Sequence, residues 1–132
     1  MPPGDFTPGF RFSWLDLGVL VIGAVAAVIA SRLEPVAGFL IAYVLGHFFL
    51  FCNVFRISRR LEYLWAACFV VLAACTVIIG VPGWIATGAG GLICAAVLIT
   101  IEMRQPSYHG IGWQRINPGL RQWFEGRQGS CS

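Results

Sequence analysis

His47 is the residue on which chemistry in this chain would turn. It lies in an apolar run that opens at Gly46 and empties into arginines after Phe55, and an ionisable group at such a depth is costly unless it meets a partner or a water-filled cavity. Tyr43 lies four residues earlier and Phe51 four later, the spacing of one helix face. Tyr43, His47 and Asn53 therefore form a candidate intramembrane polar site. A neutral histidine donating one interhelical hydrogen bond is the plainest reading. The functional readings are a proton relay, a metal or haem ligand, and a headgroup contact. A haem held by two histidines needs a second one at depth, and His109 stands in a polar tail. No cofactor is expected.

Asn53 and Arg56 are one helical turn apart, and Arg59 and Arg60 follow. An arginine fork matches a phosphate or carboxylate, so Arg56, Arg59 and Arg60 are candidate contacts for an anionic lipid headgroup or an acidic partner. They equally serve as charges that hold a hairpin in orientation, with Glu62 close enough to pair with one of them. Of the five cysteines, Cys52, Cys68, Cys75 and Cys94 fall in apolar runs and Cys131 in the tail. They read as small hydrophobes, with no metal-ligand spacing and no disulfide framework. No Ser/His/Asp set, deep carboxylate pair or glycine-rich phosphate loop appears.

The elements that must position these residues follow from composition. The 132 residues are 58% hydrophobic and 11% charged, with a mean hydropathy of +0.76, well outside the soluble range. All nine cationic residues are arginine. The net charge of +3 points to anionic lipid rather than nucleic acid, because the arginines flank apolar spans.

The pattern predicts an all-α, antiparallel four-helix membrane bundle with spans at about 14–31, 36–55, 63–80 and 84–101, each long enough for a hydrocarbon core near 30 Å. Short connections make consecutive spans neighbours. Pro35 suits the first turn of the second helix, Val81-Pro82-Gly83 is a turn signal, and Tyr63 and Trp65 are expected at interface depth. No run has the polar stripe of a soluble bundle or the alternation of a barrel. Val28-Ile29-Ala30 before Ser31 mimics a signal-peptidase site, but only Arg11 precedes the run, against Asp5 and Asp16. The first span therefore reads as retained.

Residues 1–13 form a lead with Pro2, Pro3, Gly4, Pro8 and Gly9, and with Phe6, Phe10 and Phe12 suited to the membrane surface. Residues 14–101 form the transmembrane domain, and 102–132 a tail. In the tail Asn117-Pro118 reads as an N-cap and first turn, and Leu120, Trp123 and Phe124 share a helical face. A short interfacial helix and a disordered tail with scattered aromatics are equal alternatives there. Helix packing is expected at Gly23 and Ala27, at Gly38, Ala42 and Gly46, and at Thr87, Gly91 and Ala95, where small residues recur every fourth position.

With four spans, the lead, the middle loop and the tail share a side and carry every arginine except Arg32. The positive-inside rule then places both termini in the cytoplasm, with the chain in a bacterial-type inner membrane. The expected role is an accessory or interaction subunit, or a homo-oligomer, whose partners are the bilayer and other membrane subunits or copies of itself. The alternative is a small transporter or channel with His47 in a polar path. Against it, Asp16 is shallow for a coupling carboxylate, and the charge asymmetry is stronger than dimeric exporters show. A lipid-modifying enzyme built from His47, Asn53, Arg56 and Glu62 is the least favoured reading.

Overall fold

The structure is a computed structural model that describes residues 7–130, side chains 128–130 excepted; Pro2, Pro3, Gly4, Asp5, Phe6 and Cys131 lie outside it. The described residues are all-helical: α1 Trp14–Leu33, α2 Pro35–Phe49 running into a π-turn Leu50–Val54, α3 Arg59–Ile79, α4 Trp84–Met103, a single turn α5 Trp113–Ile116, and α6 Leu120–Ser130. Four of them, with α2 counted through Val54, are long and apolar enough to cross a membrane. The chain is a multi-pass membrane protein built as a four-helix bundle.

Local chemistry sets the helix ends. Ser13 and Asp16 make a reciprocal capping box at the start of α1, with the Asp16 N–H donating to Ser13 Oγ at 3.2 Å and the Ser13 N–H to Asp16 Oδ2 at 2.8 Å. This satisfies helix donors that lipid cannot, and it gives Asp16 a structural task. Pro35 stands in the first turn of α2, where a missing N–H costs nothing. Gly80 ends α3 in the left-handed region, and the Val81–Pro82 peptide that follows is cis. α3 begins at Arg59, four residues before the expected start at 63, because the helix continues past the apolar run and carries Arg59 and Arg60 outward on its first turn, both exposed.

Packing joins the helices unequally. α1 buries no residue but runs against α2, with Gly23 facing Leu45, and meets it backbone to backbone at the tight end of their hairpin. There a Cβ on Gly38 would lie 2.5 Å from Ser31 Cβ and 2.7 Å from the Ala27 carbonyl, so the two backbones meet only because glycine leaves the space. The core lies among the other three helices, where Phe51 and Ile57 from the end of α2 pack with Trp65 and Phe69 of α3 and Ala95 and Leu98 of α4.

Trp65, expected at interface depth, faces protein. Only 1% of it is exposed, since it stands two turns inside the extended α3 and faces α4, whereas Tyr63 is 66% exposed.

The tail is ordered along α6, and its apolar face meets the protein. Leu120 is buried, and Trp123 and Phe124 are half-buried. Asn117 does not cap this helix with its side chain. Its amide donates instead to the Pro106 carbonyl at 2.6 Å and the Tyr108 carbonyl at 3.3 Å, so α6 starts only at Leu120.

Candidate functional site

Inside the spans, four aromatic side chains from α2 and α3 form one stack. The His47 ring lies 4.6 Å from Trp65 at 14°, Trp65 lies 5.3 Å from Phe69 at 3°, and Tyr43 lies 4.3 Å from His47 and 5.1 Å from Phe69. Their polar atoms close on nearby backbone. His47 Nδ1 bonds the Tyr43 carbonyl one turn back at 2.8 Å, Tyr43 Oη donates to the Gly88 carbonyl at 2.5 Å, and Trp65 Nε1 donates to the Gly91 carbonyl at 2.9 Å. The Nδ1 bond to a carbonyl fixes the proton on that nitrogen.

Gly88 and Gly91 do two things at once. Without side chains they let the rings approach α4, and they leave their carbonyls open to a second donor. A Cβ on Gly91 would sit 2.5 Å from Tyr43 Oη and 3.3 Å from Phe69 Cδ2. Lower on the same helix pair, Thr76 and Thr87 hydroxyls meet at 2.7 Å, and Thr76 also donates to the Leu72 carbonyl at 3.0 Å.

The remaining packing positions have different surroundings. Gly23 faces the Leu45 side chain, Ala27 meets Gly38, and Ala95 is 3% exposed in the core. Ala42 and Gly46 are exposed, with open space where a Gly46 Cβ would stand. The Cys68 and Cys94 thiols adjoin across α3 and α4. Among the described residues, no three His, Cys, Asp or Glu side chains gather as metal ligands would.

At the arginine end, three segments far apart in sequence are tied by backbone hydrogen bonds. Gly9 N–H donates to the His109 carbonyl at 2.7 Å, Arg11 N–H to Asn53 at 3.1 Å and Ile111 N–H to Val54 at 2.8 Å. The lead, the α2 end and the tail thus make one cap over the bundle. Gly110 is buried where a Cβ would collide with the Phe55 carbonyl, and Tyr108, fully buried, donates its hydroxyl to the Ile111 carbonyl at 2.7 Å. Burial first, and the Glu102 charge second, push Tyr108 above its ordinary value.

Asn53, Arg56 and Glu62 do not converge. The buried Asn53 side chain interacts with Asp16, while Glu62 Oε1 accepts from Cys52 Sγ at 3.4 Å. Arg56 turns the other way and donates from Nη1 to the Thr7 carbonyl at 2.6 Å. Its backbone has φ +49, the left-handed position that glycine usually takes after a helix, and across it the Ile57 N–H reaches back to the Phe51 carbonyl at 2.9 Å. Desolvation, and then the neighbouring Arg11 charge, lower the Arg56 pKa.

Under α6 this leaves a cavity of about 270 Å³, with Arg56, Ser107 and His109 on one side and Leu120, Trp123 and Phe124 on the other. Of these, the sequence singles out Arg56 as a candidate contact and gives the last three only as a helix face. Ser107, His109 and the Tyr108–Gly110 corner carry no sequence signal for the site, since backbone bonds from distant segments place them. No protein family, no curated protein and no solved structure matches the chain.

Proposed function

We propose that the chain is a structural or interaction component of a bacterial-type cytoplasmic membrane, an accessory subunit of a larger assembly or a homo-oligomer, with both termini cytoplasmic. The observation that carries this is the closure of the polar groups inside the spans. His47, Tyr43, Trp65, Thr76 and Thr87 each spend a hydrogen bond on helix backbone or on one another. A proton or ion path needs groups that hand on to the next, whereas Tyr43, Trp65, Thr76 and Thr87 tie helices together and His47 is bonded back to its own helix.

What is left for function is the outer surface. α1 buries nothing, and the exposed Ala42 and Gly46 offer a close approach to another helix. The orientation rests on the arginines, since the cap gathers the segments that hold all of them but Arg32.

The test is native mass spectrometry of the full chain released from membranes in mild detergent. A stoichiometric larger complex or a defined homo-oligomer supports the reading; a monomer with no stoichiometric companion overturns it. Topology is read separately by cysteine labelling. A cysteine at Gln114 should react only from the cytoplasmic side and one at Arg32 only from the opposite side, both positions being exposed.

A further inference from the structure

The cavity beneath α6 has a cation at its inner wall and no carboxylate among its described lining residues. A guanidinium carries five N–H donors in a fixed fork. Arg56 commits one of its nitrogens to Thr7 and is half-buried beside a second cation, Arg11. That situation is unfavourable by itself and is relieved by an anion.

The backbone also holds Arg56 in place at a cost. A non-glycine residue in the left-handed region costs roughly 1–2 kcal/mol, and here the strained position is what turns the side chain under α6 and away from Arg59 and Arg60. Strain of this kind marks positions where a side chain is needed more than an easy turn.

The opposite wall is apolar: Leu120, 2% exposed, with Trp123 and Phe124 beside it. The Arg127 guanidinium lies 4.9 Å from the Trp123 ring centroid, adding positive charge beside that wall. The volume of about 270 Å³ equals roughly nine waters at about 30 Å³ each, enough for a phosphate with a few attached carbons. The site lies where the second and fourth spans end, at Val54 and Met103, which is the depth of the headgroup layer for a chain that crosses the bilayer.

We propose that this cavity binds a phosphate ester, its phosphate forked by Arg56 and its carbon portion laid against Leu120, Trp123 and Phe124. The ester is either a phospholipid headgroup reaching in from the bilayer surface or a free phosphate ester from the aqueous side. The inference rests on the cavity and on Arg56, and it stands whether the chain works as an accessory subunit or as a homo-oligomer.

The test is a titration of the full-length protein in neutral detergent, read by native mass spectrometry, with dihexanoyl phosphatidylglycerol, glycerol 1-phosphate and dihexanoylglycerol. Arg56→Gly is the informative variant, because glycine suits the left-handed backbone and keeps the cap while removing the guanidinium. Its melting temperature should equal or exceed that of the parent. Arg56→Lys keeps the charge and loses the fork, so it serves if the glycine variant does not fold.

Saturable binding of the phospholipid but not of glycerol 1-phosphate assigns the phosphate to lipid; binding of both assigns it to a free ester. Either supports the site if Arg56→Gly weakens binding at least tenfold, the loss expected for a charge-assisted bidentate pair, and if Arg56→Lys falls between. Equal binding by parent and variants, equal binding of dihexanoylglycerol, or no binding by the parent overturns the proposal.

Discussion

Replacing Gly91 by alanine adds one carbon at the point where α2, α3 and α4 meet. The new Cβ would stand 2.5 Å from Tyr43 Oη and 3.3 Å from both Tyr43 Cε1 and Phe69 Cδ2. The hydroxyl is the atom that must move, and it is held at 2.5 Å on the Gly88 carbonyl. Losing that bond costs about 1 kcal/mol, as interhelical hydrogen bonds in membranes average about 0.6 with a maximum near 1.7. Displacing the stacked rings adds the usual cost of overpacking, about 1–3 kcal/mol. Against this, alanine gains at most about 1 kcal/mol in helix propensity. The net expectation is a loss of about 1–3 kcal/mol.

Gly46→Ala is the matched control in the monomer, since a Cβ there meets nothing within 4 Å among the described residues and only the propensity gain remains. The assay is reversible unfolding in mixed micelles of mild detergent and dodecyl sulfate, followed by tryptophan fluorescence, to which the buried Trp65 contributes. A double-mutant cycle with Tyr43→Phe completes it. Without the hydroxyl the nearest clash disappears, so the cost of Gly91→Ala should fall by about 1 kcal/mol. If Gly91→Ala were as stable as Gly46→Ala, or if its cost were unchanged in the Tyr43→Phe background, the assignment of Gly91 as the seat of Tyr43 would be wrong.

Ser13→Ala removes the acceptor of the Asp16 N–H and the hydroxyl that donates to Asp16 Oδ2 at 2.7 Å. It should lower stability in the same assay by about 1 kcal/mol; a change within error would mean that the box does not hold α1. Tyr108 gives a pH signature. Its folded pKa is raised above the ordinary 10.0 by burial and then by Glu102, so the neutral form favours the folded state. That stabilisation is complete below about pH 10 and is lost as pH rises through the raised value. The melting temperature should therefore fall on the alkaline side, and fall less in Tyr108→Phe, which should also lose about 1 kcal/mol at neutral pH with its bond to Ile111. Identical alkaline profiles for the two proteins would refute this placement of the phenol.

The spans were legible because one physical constraint, the thickness of the hydrocarbon core, fixes both the length and the composition of the segments that cross it. Their ends were less so. The run of hydrophobicity before Arg56 and after Arg60 hides the fact that α3 starts at Arg59, since a helix entering the headgroup layer changes solvent without changing backbone. The burial of Trp65 is hidden for a related reason. Interfacial tryptophans are a habit of composition, whereas the burial of this one depends on an acceptor, the Gly91 carbonyl, 26 residues away in sequence. The cap was not legible at all. Its ties run from Gly9 to His109 and from Ile111 to Val54 and use backbone atoms, which every residue type possesses.

The small-residue stripes show most clearly where sequence stops and structure begins. Glycine at every fourth position states that a neighbour can come close, and leaves open which neighbour and with what effect. Gly38 admits a backbone, that of α1 at Ala27 and Ser31. Gly91 admits a hydroxyl and two rings, and its carbonyl and that of Gly88 take the donors of Trp65 and Tyr43. Gly46, indistinguishable from these by pattern, admits nothing among the described residues. In lipid, where burying apolar surface drives helices together only weakly, the difference lies in the donors. A glycine becomes a junction when a facing tyrosine or tryptophan needs an acceptor that no water can supply. The aromatic stack of α2 and α3 and the glycine face of α4 therefore specify each other, and His47 is held in the middle of that arrangement by its own helix on one side and by Trp65 on the other.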